Sequence, residues 1–439
     1  MTTSEPTRWS GSAGRRLVVV LAIVAPIEQV GFDMYAPALP KIAEHFGSSN
    51  ALAQNTVTAY ILGMALVVLP IGLVADAIGR KRVLLTGLSL MAVTSVGCAV
   101  ATGMPMLLGL RFVQGMGAGT CLLLAATIAA DCFRGAKLVS VLGILGAAWG
   151  AAPVLAPAAG GFIVQVASWR VVFVLLAAVV AAATLLVAVA LPETLEADRR
   201  TPVDLRAAAG VLGEALRHRV FVAFTVMFGI VGAAQMVFGV AGPFLYQVGL
   251  GFASATYGFI ALGVGAANFV GAAACGALAQ RTSTPRLVTV GAGMLALGGL
   301  VLVVSAHLVG FNAWFITAGA AMAMLSTGVL DPLSKGLAMG VFKRNIGLVT
   351  GLINTVCYVS ITLASALVAW LPESSQAPLG WLYVGAAIAI TTLLLTMGRK
   401  AGETVQTPAD GEEMCCSPRC YLRHEGRTHA EGHDPSPGS

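Results

Sequence analysis

Apolar residues in this chain come in long runs, and a run of about 20 residues is what a helix needs to cross the hydrocarbon core of a bilayer. Measured against that length, the sequence predicts twelve spans. Six lie near residues 15–40, 52–75, 83–101, 104–130, 139–167 and 171–191, and six more near 220–247, 253–280, 286–307, 312–338, 346–371 and 378–397. Only helices and closed barrels satisfy every backbone polar group inside lipid, and runs this long are helical. The fold class expected is therefore an all-α polytopic membrane protein of twelve transmembrane helices in two six-helix bundles.

Most polar sequence falls between the runs. The connection "LPETLEADRRTPVDLRAAAGVLGEALRHR" separates spans 6 and 7 and is dense in both charges, whereas the other joints are tight. A weak internal repeat places the same boundary. "GLVADAIGRKRVL" from Gly72 and "GALAQRTSTPRLV" from Gly276 each follow the second span of their half and share the leading Gly, an Ala three residues on, and basic residues at the end. Two parallel halves suggest a transporter with a central site between them. The expected organisation is an N-terminus over 1–14, a bundle over 15–191, a linker over 192–219, a second bundle over 220–397 and a disordered tail over 398–439.

Composition strengthens the membrane assignment. The chain is 57% hydrophobic and 10% charged, against about 25% charged in soluble domains, and its mean hydropathy is +0.85. A soluble enzyme is excluded on that ground. The net charge of +6 invites a nucleic-acid partner, but the basic residues form no patch or aromatic-interleaved stripe. Their distribution follows the membrane instead. Of the 26 Lys and Arg, only Lys41 and Arg170 lie on one side and Arg111 falls inside span 4, while the rest occupy the N-terminus, the connections after even-numbered spans, the edge of span 10 (Lys335) and the tail. This asymmetry predicts a cell (inner) membrane protein with both termini cytoplasmic. Arg15 and Arg16 before the first run look superficially like a signal peptide, yet the run continues past twenty residues and eleven similar ones follow, so a retained span is expected.

Five of the eight cysteines lie in or beside apolar runs, where a free thiol behaves as a small hydrophobe. In the tail, "CCSPRC" with His424, His429 and His433 could bind a soft metal or be acylated, but it lacks paired CxxC spacing. No metal site, cofactor or Walker-type loop is expected, and an enzyme is not.

Charges inside the spans carry the functional argument, because a carboxylate at the centre of a bilayer costs roughly 2.5–3.5 kcal/mol. "PIEQVGFDMYAPALP" in span 1 holds two, Glu28 and Asp33, with Glu28 nearer the span centre. Five residues apart, they point about 140° from each other on a helix and are not expected to share one site. Low dielectric disfavours the charged form of a carboxyl, so such a group can hold a proton and release it when water or a basic substrate arrives. Either acid could be the coupling group; either could equally be satisfied by a neighbouring helix or by Arg111. In span 10, Asp331 and Lys335 are spaced i,i+4, which can pair them on one helix face or let them line a cavity. Tyr35, Tyr60, Gln235 and Phe238, together with Met236, offer the polar and aromatic groups of a drug pocket.

Several motifs resemble those of the major facilitator superfamily. Gly72, Asp76, Gly79, Arg80 and Lys81 resemble its signature loop between spans 2 and 3, which in that family latches one access state. Gly72 would permit close helix approach, Gly79 a tight reversal. "RFVQGMGAG", with Arg111 and Gln114, resembles the span-4 motif in which a membrane-embedded arginine influences proton transfer; the alternative is an arginine that snorkels to water. "GILGAAWGAAPVLAPAAGG" resembles the hinge signature of drug:proton antiporters in Gly143, Pro157, Gly160 and Gly161, with Pro153 favouring a bend and Ala152 and Ala156 replacing two glycines. "DMYAPALP", "TAYILGMAL", "APVLAPAAGG", "LRHRVFVAF" and "AGPFLY" look like the Bcr/CflA subfamily, named for bicyclomycin and chloramphenicol resistance. The resemblance implies a proton-coupled antiporter that exports a small amphipathic compound, such as a chloramphenicol- or bicyclomycin-like antibiotic, with small-molecule substrate, protons and the bilayer as partners and a monomeric state. A metabolite or siderophore exporter, an inward symporter, and a transporter-like membrane sensor are the rival readings.

Overall fold

The computed structural model describes residues 11–195, 200, 204–279, 281–342, 346–372 and 374–404. Residues 1–10 of the predicted N-terminal segment, part of the linker, and the tail beyond Thr404 with its Cys and His residues lie outside the described residues. Among the described residues, twelve helices are long and apolar enough to cross a membrane. In chain order they are span 1 (Ser12–His45), span 2 (Asn50–Ile78), span 3 (Arg80–Ala99), span 4 (Met104–Cys132), span 5 (Ser140–Val166) and span 6 (Arg170–Ala190). Span 7 (Arg219–Gly249), span 8 (Ser254–Leu278), span 9 (Thr284–Leu308), span 10 (Ala313–Gly340), span 11 (Gly347–Val368) and span 12 (Ala377–Thr396) follow. Each overlaps its predicted run. Since consecutive spans alternate in direction, the start of span 1 and the odd-to-even pattern define two ends, called here the basic end, where the Arg- and Lys-rich connections lie, and the far end.

Span 1 departs from a single rod. It is helical over Gly11–Val24 and Ile27–Asp33, passes through a 3-10 turn at Ala36–Ala38, and resumes over Leu39–His45. Pro26, Pro37 and Pro40 lack the N–H that a continuous helix requires, and each sits at or beside a break. The linker has a helix of its own over Leu205–Arg217, capped by Asp204, whose Oδ1 accepts the N–H groups of Arg206 and Ala207 at 2.9 Å.

Helix packing repeats along the chain. Spans 2 and 4 touch backbone to backbone, since a Cβ at Gly115 would collide with the carbonyl of Tyr60. Spans 8 and 10 do the same, since a Cβ at Gly328 would collide with the carbonyl of Asn268. Small residues at such crossings are how membrane helices gain van der Waals contact without a hydrophobic drive between them. Spans 5 and 8 pack together, as do spans 2 and 11, joining the first six spans to the last six. The outward faces carry exposed apolar side chains such as Val93, Leu185 and Leu363, suited to lipid contact.

Candidate functional site

A cavity of about 410 Å³ lies among spans 1, 4, 5, 7, 8, 10 and 11. Its wall is mostly apolar and aromatic, with a few polar groups, the composition of sites that take small organic molecules. Asp33 is on this wall, as are Gln235, Phe238, Asp331 and Lys335. Lining residues run from Ala36 in span 1 and Tyr257 in span 8, in the far half, to Leu142 in span 5 and Lys335 in span 10 near the basic end.

The two acids of span 1 have different surroundings. Asp33 faces the cavity and accepts one hydrogen bond at Oδ2 from Gln29 Nε2, 2.8 Å away and one turn earlier. Glu28 is 1% exposed and lies behind the wall. Its Oε1 accepts the indole N–H of Trp149 at 2.7 Å, and its backbone carbonyl accepts the Tyr60 hydroxyl at 2.7 Å. Trp149 itself lines the cavity. One indole therefore separates the buried carboxyl from the open space.

Neither acid pairs with Arg111. Among the described residues no carboxylate lies within salt-bridge distance of that guanidinium. Nor does Arg111 snorkel: it is 0% exposed, about 10 Å along its helix from Met104. Its charge is held by rings and neutral acceptors. The guanidinium carbon stands 4.4 Å from the Tyr35 ring centroid and 4.2 Å from that of Tyr60, within cation–π range. Nη1 donates to Gln114 Oε1 at 2.6 Å and to the Gly31 carbonyl at 3.3 Å. Gln114 Nε2 donates to Ser95 Oγ, which donates to the Met91 carbonyl, both at 2.6 Å. Arg111 Nε and Nη2 have no hydrogen-bond partner. Tyr35, Tyr60 and Gln114, expected on the cavity wall, thus enclose the arginine instead; Tyr35 is fixed by a 2.7 Å hydrogen bond to Thr56.

The loop between spans 2 and 3 forms a separate charged cluster at the basic end. Arg80 Nη2 contacts Asp76 Oδ1 at 2.5 Å, and Arg80 Nε contacts Asp131 Oδ2, at the end of span 4, at 3.1 Å. Glu193, just after span 6, accepts the backbone N–H groups of Arg80 and Lys81 at 2.9 and 3.4 Å, completing the uncapped start of span 3. Lys81 Nζ donates to the Ala188 carbonyl at 2.7 Å. Gly79 turns the chain at φ +111°, a conformation that L side chains rarely adopt. Gly72 is not what brings helices together here: a Cβ there would make only an ordinary 3.5 Å contact with Leu123.

Span 5 runs as one helix through Pro153 and Pro157. Its outer part is in backbone contact with its neighbours, because a Cβ at Gly160 would strike the Met34 carbonyl and one at Gly161 the Ser254 carbonyl. Gly143, expected to share in a hinge, has nothing within 4 Å of such a Cβ.

Sequence reasoning missed Trp149, Gln29, Asn268, Asn354, Asp131 and Glu193. A signal was present for some: Trp149 is the lone aromatic before Phe162 in span 5, and Asn268 and Asn354 are isolated amides in apolar runs. Asp131 and Glu193 become partners of Arg80 only through the tertiary fold.

Twelve spanning helices around a central, mostly apolar cavity define a multi-pass membrane transporter. The chain belongs to the Major Facilitator Superfamily, whose sequence profile matches residues 21–365. It is 31% identical over 240 residues, 54% of its own length, to the uncharacterized MFS-type transporter YdgK of Bacillus subtilis, and the match spans 60% of that relative. It is 29% identical over 395 residues to Multidrug resistance protein MdtL of Escherichia coli O157:H7, covering 89% of this chain and 97% of the relative. Among solved structures, a partially occluded inward-open conformation of the xylose transporter XylE from E. coli superposes with a TM-score of 0.71 at 14% identity, covering 92% of this chain and all of that one.

Proposed function

We propose that this protein is a proton-coupled antiporter of the inner membrane that exports a small amphipathic compound by alternating access. The observation that carries the reading is the placement of the span-1 carboxyl of Asp33 on the wall of a largely apolar cavity. Such a group can exchange a proton for a substrate in the same space, which is what coupling by competition requires. The name and full-length similarity of the MdtL relative support a drug as the cargo, and the "DMYAPALP" stretch supports the Bcr/CflA subfamily. Asp33 is assigned the titrating role. Glu28, bonded to Trp149 and shut off from the cavity, is assigned the bracing of span 1 against span 5.

The Lys and Arg distribution supports cytoplasmic termini, an orientation in which the cavity is inward-facing and the two sets of six spans are the moving halves. One proton moving inward across 100 mV supplies about 2.3 kcal/mol, and half a pH unit adds about 0.7 kcal/mol. Together, about 3 kcal/mol supports a gradient on the order of 150-fold.

The test uses inverted vesicles with an acid lumen and a pH-sensitive dye, challenged with chloramphenicol, bicyclomycin and a wider panel of drugs. Wild type should release luminal protons on addition of a substrate, Asp33→Asn should not, and Glu28→Gln should retain at least half of the response. Full release by Asp33→Asn would overturn the assignment, and binding without any proton release would replace the antiporter by a sensor or uniporter.

A further inference from the structure

Among the described residues, Lys335 is the one basic residue on the cavity wall. Helix spacing places Asp331 one turn before it, where a direct ion pair is available, yet no such pair within 4.0 Å forms between these two described residues. What the ammonium has instead is the ring of Phe228, 5.4 Å from Nζ to the centroid. No donor among the described residues reaches the Asp331 carboxylate either, although it too faces the cavity. A pair that served only to neutralise itself would close across the helix face, since an ammonium and a carboxylate on an apolar wall each lack water's full compensation. Here both remain turned to the open space, and Asp33 presents a second carboxyl from span 1.

We infer that the cavity is a zwitterion site, in which Lys335 receives an acidic group of the exported compound while Asp33, on the facing span 1, receives its basic group. This rests on the exporter reading above and names the chemistry of its cargo. A cavity for simple cations has no use for an ammonium in its wall. One for simple anions has no use for two carboxyls. On the same wall, Trp149, Phe228 and Phe238 supply flat apolar surface for an aromatic body.

Three probes with one body separate the possibilities: norfloxacin as the zwitterion, its methyl ester as the cation, and its N-acetyl derivative as the anion. Binding is read by equilibrium dialysis against the full chain in lipid nanodiscs, with no gradient present. Wild type should bind the zwitterion about tenfold more tightly than either derivative, the difference expected for one charge-assisted hydrogen bond. Lys335→Met should lower affinity for the zwitterion and the anion about tenfold and leave the ester unchanged, while Lys335→Arg should behave as wild type. Equal affinities in wild type, an equal loss for all three probes in Lys335→Met, or no binding of the zwitterion would each overturn the inference. A protein that discriminates in nanodiscs yet moves no protons in vesicles would keep this inference and lose the exporter reading instead.

Discussion

Spans 5 and 8 are in backbone contact toward the far end and apart toward the basic end. In the outer half, added Cβ atoms would crowd backbone: at Gly258 one would stand 2.7 Å from the Pro157 carbonyl oxygen, and at Gly265 one would stand 2.6 Å from that of Pro153. In the inner half, Cβ atoms at Gly143, Gly146 and Gly276 would meet nothing within 4 Å. The same two helices, both rich in Gly and Ala throughout, therefore make a seal in one half and a gap in the other. Small residues permit closeness without enforcing it. What distinguishes the halves is the company: the outer seal is reinforced by the broken end of span 1, where the Pro37 carbonyl accepts Gln247 Nε2 at 3.0 Å, and by a Thr58–Ser365 hydroxyl pair at 2.7 Å between spans 2 and 11.

The largest expected effect comes from wedging the seal. Gly258→Leu puts a side chain against fixed backbone, an overpacking that costs about 1–3 kcal/mol. The reporter is a cysteine at Ala36, on the cavity wall in span 1, probed with a membrane-impermeant maleimide applied from the far end; the five described native cysteines are all buried. Labelling should accelerate about tenfold or more relative to the reporter alone, and transport should fall with it. Unchanged labelling in a protein that still folds would mean the crossing of spans 5 and 8 is not the seal.

How much of this could be read beforehand differs between fold and site. All twelve spans follow from apolar run length, because hydropathy over about 20 residues is set by the bilayer and not by neighbours. The breaks in span 1 were in plain view as Pro26, Pro37 and Pro40, but a reading by apolar length passes over them. For the site, the cost of an isolated polar residue in a span singles out Asp33, Gln235, Asp331 and Lys335 as candidates, but leaves open whether each lines a cavity or is satisfied inside the protein. The housing of Arg111 could not be read. Its rings come from spans 1 and 2 and its amide from one turn along span 4, and nothing in the spacing of Tyr35, Tyr60 and Arg111 along the chain specifies that they meet. For the same reason Arg111 stood as a candidate partner for Glu28 and Asp33, when the partners are Trp149 and Gln29.

At the basic end, the expected effects are smaller because the contacts are local. Glu193 accepts N–H groups at the start of span 3, which has no other side-chain cap. Glu193→Ala should cost about 1 kcal/mol in a reversible unfolding measurement, as loss of a helix cap does, while Glu193→Gln, which keeps an acceptor oxygen, should cost only a fraction of that. Labelling at the Ala36 reporter should not change with either variant. A change there would mean that the basic-end cluster and the far-end seal are coupled, and that the two regions are one device.

The smallest effect tests whether the seal depends on hydrogen bonds as well as packing. Thr58→Val removes the hydroxyl that meets Ser365 and keeps the shape. Side-chain hydrogen bonds between membrane helices are worth about 0.6 kcal/mol on average, so the ratio of closed to open arrangements should fall about threefold. Ala36-reporter labelling from the far end should quicken by that factor, and Ser365→Ala added to Thr58→Val should contribute nothing more, since the pair is already broken. A double variant that labels faster than either single one would show that the two hydroxyls act on the seal separately. No change in any of the three would assign closure to the backbone contacts of spans 5 and 8 alone, where packing at the helix crossing sets the balance and polar contacts only decorate it.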